Sequence, residues 1–370
     1  MILSTVLFYA FIAVVGIQVG YYSSFLFSFS IKRAELHNSN QFPASVIICA
    51  KNEAENLKKN LPLIIDQEYP NFEIVLVNDG SSDNTLKIMK AFAEKHSHIK
   101  LVNVIPTEAF WGNKKYALTL GIKASTHNVL VFTDADCVPN SNQWLSQIVI
   151  NFSKSKTIVL GYGAYAKKKL SFLNKLIRFE TVMTALQYFS YAKMGMPYMG
   201  VGRNMAYRKE LFFNNSGFNS HMTLKSGDDD LFINEVATPS NTALCFTKES
   251  FTISEPKTTF KDWILQKRRH ISTAKFYKQK HKFLLALFYF TNLSFWILGT
   301  LLLITQIYWP WVAILIGIRF IIQWLCFGLT ARKFEETDLI IFAPFLELFL
   351  ISAQLSIFIA NLISKPKHWK

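Results

Sequence analysis

The chain has 370 residues, 51% of them hydrophobic, with 33 phenylalanines and a formal net charge of +15. That apolar share is rich for a purely soluble protein. Four scattered cysteines (Cys49, Cys137, Cys245, Cys326) argue against both a disulfide framework and a cysteine zinc site. The basic excess could suggest nucleic acid, but nine Lys/Arg against two acidic residues lie in Glu255–Lys282, directly before an apolar run, where anionic lipid or a diphosphate is the better partner.

In chain order, Leu3–Phe29 comes first, about 27 residues without a charge and enough to cross a bilayer. No Lys or Arg precedes it and no small-x-small site follows, so it reads as a membrane anchor rather than a cleaved leader. After the polar linker Glu35–Gln41, Ser45–Ala50 (SVIICA) is suited to a buried strand and Asn52–Ile65 to a helix. Phe72–Asn78 predicts a second strand, and Asp83–Lys95 a second helix capped by Ser81-Ser82. Ile99–Val104 is a third strand, Lys114–Ala124 a helix and Val129–Thr133 a fourth strand. Strands alternating with helices imply an α/β fold with a parallel sheet. The absence of a GxGxxG loop argues against a dinucleotide oxidoreductase.

Lys167–Tyr198 interleaves aromatic and aliphatic residues with Lys and Arg. It reads either as an amphipathic core helix or as a helix lying in a membrane interface. Phe283–Ile307, Val312–Leu329 and Leu339–Ile363 are three further apolar runs, with Trp309-Pro310 turning between the first two. Arg319 and Glu347 inside them are expected to pack against other helices or near an interface. Three segments result: an anchor over 1–30, a domain over 42–282 and apolar helices over 283–363. Lys32, Arg33, the Glu255–Lys282 run, Arg332 and Lys333 place the central domain in the cytoplasm of a plasma-membrane protein. Lys365, Lys367 and Lys370 conflict with that topology if the last run spans, which leaves a re-entrant or interfacial path open for Leu339–Ile363.

Ligands bind beyond the carboxyl ends of such strands, and Asn52, Asp79 and Asp134 all fall there. By itself Asp79 before Gly80 is an ordinary turn. Asp134 and Asp136 form an Asp-x-Asp pair, and alternate residues of an extended chain share a side. Both carboxylates could then face one hard cation, Mg²⁺ or Mn²⁺. Asp228, Asp229 and Asp230 are either a solvated turn or a cluster in which mutual repulsion raises one pKa, as a general base requires. Arg268 and Arg269 beside Gln266 are suited to a diphosphate.

Taken together, VNDGSSDN (Val77–Asn84), FTDADCVP (Phe132–Pro139), SGDDDLF (Ser226–Phe232) and QKRRH (Gln266–His270) resemble the motifs of the membrane-bound family 2 glycosyltransferases, relatives of the cellulose, hyaluronan and poly-N-acetylglucosamine synthases. The resemblance covers about Pro43–Thr273. It implies the GT-A fold, a Rossmann-like nucleotide-sugar transferase domain, here flanked by one N-terminal and about three C-terminal transmembrane helices. It further implies that Ala50, Asn52 and Glu53 with Asp79 hold the uracil and ribose of a UDP-sugar, and that Lys114 lies near the nucleotide. Asp134 would contact the nucleotide or sugar and Asp136 the metal, while Asn204 belongs to a loop lining donor and acceptor. Asp229 aligns with the base, and a one-residue shift selects Asp228. Gln266 and Arg269 match a Gln-x-x-Arg-Trp motif in which His270 replaces the tryptophan that helps form the acceptor end, so processive synthesis is weakened but not excluded. The expected reaction is an inverting, metal-dependent transfer to a lipid-linked or saccharide acceptor. A binding-only membrane subunit has no need of a metal pair and a base together.

Overall fold

The computed structural model describes residues 2–30, 41–105, 114–224 and 226–363. The flanking charges Lys32, Arg33, Lys365, Lys367 and Lys370, and most of the expected linker, lie outside them. In chain order the main elements are α1 (Ile2–Ser30), β1 (Ala44–Ala50), α2 (Ala54–Ile65), β2 (Phe72–Asp79), α3 (Thr85–Lys95), β3 (Ile99–Val104), α4 (Lys114–Ala124) and β4 (Val129–Asp134). There follow β5 (Cys137–Pro139), α5 (Trp144–Val149), β6 (Ile158–Leu160), β7 (Gly163–Tyr165), α6 (Phe172–Lys193), β8 (Met205–Arg208), α7 (Lys209–Asn214) and α8 (Asp230–Val236). The chain continues through β9 (Thr242–Leu244), β10 (Thr252–Ser254), α9 (Phe260–Ile271), α10 (Gln279–Ile304), α11 (Trp309–Lys333) and α12 (Ala343–Ile363).

The described residues fall into two compact units: 2–30, 169–194 and 258–363 form a helical one, and those of 41–168 and 195–257 an α/β one. This differs from the expected single block over 42–282, because α6 and α9 belong with the apolar helices. Both are amphipathic enough to read as parts of a polar domain, yet α6 buries Leu176, Phe179, Val182, Leu186 and Phe189. Arg178 pairs with Glu336 and Asp338, and Lys267 of α9 pairs with Glu180 at 2.6 Å. Of its two readings, α6 fits the packed core helix.

The α/β unit carries a seven-stranded mixed sheet of order β3-β2-β1-β4-β8-β6-β9, with a three-stranded sheet β5-β10-β7. β3, β2, β1 and β4 are parallel, and β8 runs antiparallel to β4 and β6. β1 and β2 are buried on both faces, which is why they read as unbroken apolar runs rather than alternating ones. Register sets the site: Ala50 lies opposite Asn78, and Cys49 opposite Asp134, so three strands end at one level. α4 lies close on this sheet through Gly121, where a Cβ would come within 2.6 Å of Val77 Cγ2.

Two helix starts differ from expectation. α2 begins at Ala54, because Asn52 takes a left-handed φ of +56°. α3 begins at Thr85, and Ser81 and Ser82 do not cap it: Asp83 Oδ1 accepts from Thr85 N at 2.9 Å, while the serines bond to Asn52.

Among the described residues, four helices are long and apolar enough to cross a membrane: Ile2–Ser30, Gln279–Ile304, Trp309–Lys333 and Thr337–Ile363. Phe11 and Val15 of α1 pack with Phe295 and Leu302 of α10 and Val312 of α11. Arg319 and Glu347 are buried and pair with each other at 2.7 Å. Glu347 Oε1 also accepts from Tyr22 at 2.8 Å, Gln323 at 2.9 Å and Asn292 at 3.1 Å, so this one carboxylate ties α1, α10, α11 and α12 together.

Candidate active site

Asp79 ends β2 and is 7% exposed. Burial raises its pKa against the opposing pull of Lys51 and Lys114. The neighbouring loops are sewn together. Asn52 Oδ1 accepts from Ser82 N at 2.8 Å, Asn52 N donates to Ser81 Oγ at 3.1 Å, and Glu53 N donates to Thr85 Oγ1 at 2.8 Å. Glu53 Oε2 accepts from Asn56 at 2.5 Å, and Ala50 is buried. Within Ala50–Glu53 the side chains of Asn52 and Glu53 therefore shape the loop.

Lys114, at the start of α4, bridges two carboxylates, Asp134 at 2.9 Å and Asp228 at 3.3 Å. Burial works against its charge, but those carboxylates more than reverse the effect and raise its pKa well above the usual lysine value. Asp228 is the mirror case. Burial opposes its ionisation, yet Lys114, a backbone N–H and Lys115 hold its pKa below the ordinary carboxylate value.

Asp229 is different. Its Oδ2 accepts from Gly202 N and its Oδ1 from Asp230 N, both at 2.8 Å. Burial and the adjacent Asp228 and Asp230 outweigh those bonds and push its pKa up to about 7. Asp230 opens α8 and accepts from Leu231 N at 2.8 Å. The turn into the cluster requires Gly227, whose φ is +100° and where a Cβ would meet Leu231 Cδ1 at 2.5 Å. Of the two alternatives for a proton acceptor, Asp228 is locked into an ion pair and Asp229 is poised near neutrality. A small cavity beside them is lined by Cys49, Lys114, Thr133, Asp134, Tyr207 and Asp228. The Thr133 and Tyr207 hydroxyls are buried there without a hydrogen-bond partner among the described residues.

Asp136 sits in the two-residue turn between β4 and β5, so a turn rather than a continued strand brings the Asp-x-Asp pair together. Ligand atoms of Asp134, Asp136 and Cys137 lie within 4.8 Å of one another. Burial and the two aspartates raise the Cys137 thiol well above its usual value, and its Sγ lies 2.9 Å from Ser254 Oγ. The available donors are thus the two carboxylates, an oxygen set that fits Mg²⁺ or Mn²⁺ and not a thiophilic ion.

Asn204 is placed differently from expectation. It is fully buried, donating to Tyr162 O at 2.7 Å and Ser250 O at 2.8 Å and accepting from Trp144 Nε1 at 3.1 Å. Its amide anchors the loop from inside rather than facing a ligand. Gln266, Arg268, Arg269 and His270 lie on α9 in the helical unit. Arg268 donates to Asn361 Oδ1 at 2.9 Å and to Ala360 O at 3.1 Å, which fixes α9 to α12. Sequence reasoning missed Lys115, the buried neighbour of Lys114. Its signal was spacing, since 115, 118 and 122 form the inner stripe of α4.

Residues 45–214 match the family model described as Glycosyl transferase family 2. The chain is 32% identical over 119 residues to glycosyltransferase AglE of Haloferax volcanii, covering 32% of this chain and 38% of that protein. It is 35% identical over 94 residues to a poly-beta-1,6-N-acetyl-D-glucosamine synthase of Staphylococcus epidermidis, covering 25% and 22%. The matched segments thus span well under half of these relatives' own lengths. In fold, the chain resembles the mannosyltransferase PcManGT from Pyrobaculum calidifontis in complex with GDP-Man and Mn²⁺, at TM-score 0.59 and 17% identity, covering 93% of this chain and 97% of that one. Residues 45–214 are thus similar to the family 2 glycosyltransferase domain, and the fold is GT-A-like.

Proposed function

We propose that this protein is an inverting glycosyltransferase that moves a hexosyl or N-acetylhexosaminyl group from a nucleotide-sugar to a lipid-linked or saccharide acceptor at the cytoplasmic face of the plasma membrane. One observation carries the reading. At the carboxyl end of the sheet, one carboxylate is raised to about 7, beside Asp228, which a buried lysine holds below the ordinary carboxylate value. That separation of pKa values supports Asp229 as the proton acceptor and an electrostatic role for Asp228 and Lys114.

In the proposed step Asp229 takes the proton of an acceptor hydroxyl as its oxygen attacks the anomeric carbon. The bond from that carbon to the diphosphate oxygen breaks, and the electron pair leaves with the nucleoside diphosphate. A single displacement inverts the configuration, so an α-linked donor gives a β-linked product. Asp136 with Asp134 would hold a divalent ion, which when bound supplies positive charge to the diphosphate. Asp79, at the end of β2, would receive the nucleoside. The roles of Gln266, Arg268 and Arg269 at the diphosphate and of His270 at the acceptor rest on their motif alone. Support for a metal-bound nucleotide-sugar comes from the PcManGT complex, which has the same fold with GDP-Man and Mn²⁺. Four apolar helices and the Lys/Arg flanks support the membrane placement.

The test uses the full chain in detergent with a panel of UDP- and GDP-sugars, Mg²⁺ or Mn²⁺ and total membrane lipid, following released nucleotide and labelled product. Metal-dependent release from one donor, absent in Asp229→Asn, is the expected result. Product size then separates single addition from polymerisation. Absence of nucleotide binding with every donor sinks the reading.

A further inference from the structure

Lys115 is 1% exposed, and its Nζ donates to three main-chain carbonyls: His221 at 2.8 Å, Leu224 at 2.9 Å and Ser226 at 2.7 Å. An ammonium has three N–H donors, so each has an acceptor in this cradle. His221 closes the short helical turn Asn219–His221, and Leu224 and Ser226 lie between that turn and Gly227, just ahead of Asp228, Asp229 and Asp230. A loop this irregular has few ladder hydrogen bonds of its own and takes its shape from what grips it. Here the grip comes from a helix packed directly on the sheet, and the preceding residue of that helix, Lys114, holds Asp134 and Asp228. Two adjacent lysines thus fix the acidic cluster from two sides, one by its carboxylates and the other by its main chain.

We propose that Lys115 is a positioning residue for the general base: by holding the carbonyls of His221, Leu224 and Ser226 it sets where Asp229 is presented beside the Gly202 N–H. The proposal rests on the glycosyltransferase reading for its catalytic part alone. The charged and titratable groups around Lys115 are Asp228, Asp229, Asp230 and Glu235, with the cation of Lys114 and with His221, whose pKa burial and Lys115 lower. Burial pulls the Lys115 pKa down to about 8 against those four carboxylates, so it is charged at neutral pH. That cation favours the ionised form of the acidic cluster, and removing it makes the base harder to ionise.

The experiment compares wild type, Lys115→Met and Lys115→Arg as full chains in detergent, by donor turnover across pH, nucleotide binding and amide hydrogen exchange. Lys115→Met is expected to lower kcat by roughly 10²-fold, the scale of a misplaced catalytic group, with nucleotide affinity little changed. Its acid limb should move to higher pH, and exchange should rise over residues 217–230. Lys115→Arg keeps the charge but has a planar fork in place of three converging donors, so kcat should fall while the acid limb stays in place. Wild-type kcat and acid limb in Lys115→Met would overturn the proposal. So would a loss of kcat with exchange raised across the whole α/β unit and the limb unmoved, the mark of a general structural role. If Lys115→Met does not fold, Lys115→Arg decides: wild-type kcat overturns the proposal, and lowered kcat with local loosening supports it. If wild type turns over no donor, the glycosyltransferase reading fails separately, and exchange alone judges the lysine. Loosening confined to 217–230 upholds the grip, and unchanged exchange overturns it.

Discussion

Two buried charge clusters in this molecule are built on opposite plans. In the helical unit Glu347 faces Arg319 with Tyr22, Asn292 and Gln323 around it, one carboxylate against one guanidinium and a ring of neutral donors. In the α/β unit Asp79, Asp134, Asp228, Asp229 and Asp230 outnumber Lys114 and Lys115, and burial together with that surplus raises the pKa of Asp229. A balanced cluster holds helices together, whereas an unbalanced one keeps a proton acceptor available near pH 7. The same burial serves assembly in one place and reactivity in the other, and the stoichiometry of charge decides which.

The largest effect should come from removing the surplus carboxylate. Asp229→Asn is expected to lower transfer by about 10²–10⁴-fold, the usual worth of a general base, with nucleotide binding retained by titration calorimetry. Loss of both together would move Asp229 to a nucleotide or structural role.

Unbalancing the paired cluster should be almost as costly, but in stability. Arg319→Met strands a buried carboxylate and should cost about 3–5 kcal/mol, read as a fall in Tm of the detergent-solubilised chain. The double variant Arg319→Met/Glu347→Leu should recover part of that loss. Failure to recover would mean that shape, not charge balance, holds the helices.

The pH profile sharpens the contrast. With Asp229 as the proposed base and its pKa raised to about 7, kcat/KM should fall about tenfold per pH unit below that value and level off above it. A limb near pH 4 in kcat, with the kcat/KM limb still near 7, would show that the surplus is relieved when the donor binds. Asp136→Asn should raise the metal concentration needed for half-maximal rate by about 10–100-fold, and chelation should stop turnover in wild type.

The smallest effect tests a residue the motif had placed at the ligand. Asn204→Ala strands the Trp144 indole and two carbonyls and should cost about 1–3 kcal/mol of stability, with the donor KM unchanged. A KM effect without loss of stability would return Asn204 to the binding surface.

The first half of the sheet was legible because β1, β2 and β4 are buried on both faces and read as continuous apolar runs ending in Asn52, Asp79 and Asp134. The short strands β6, β7, β9 and β10 are three residues each, too brief for any period to register. Helix starts at Ala54 and Thr85 were missed because the serine and asparagine that would cap them bond between loops instead. Asn204 misled because burial, not residue type, separates an amide that binds a ligand from one that pins a loop. Lys115 escaped for the opposite reason, since a lysine on an apolar stripe looks like an exception until its three carbonyls are seen.

The order of strands has a consequence for synthesis of the chain. β6 is made before α6, yet its partner β8, which also closes the β4 edge, is made after it. At a ribosome adding about 5–20 residues per second, the strand that ends in Asp134 waits several seconds with one edge unpaired. During that interval the nascent polypeptide has already emitted the apolar helix α1 and must still produce α6. Until β8 is made, the half-made sheet presents an unpaired strand edge, the kind of edge on which chains associate wrongly.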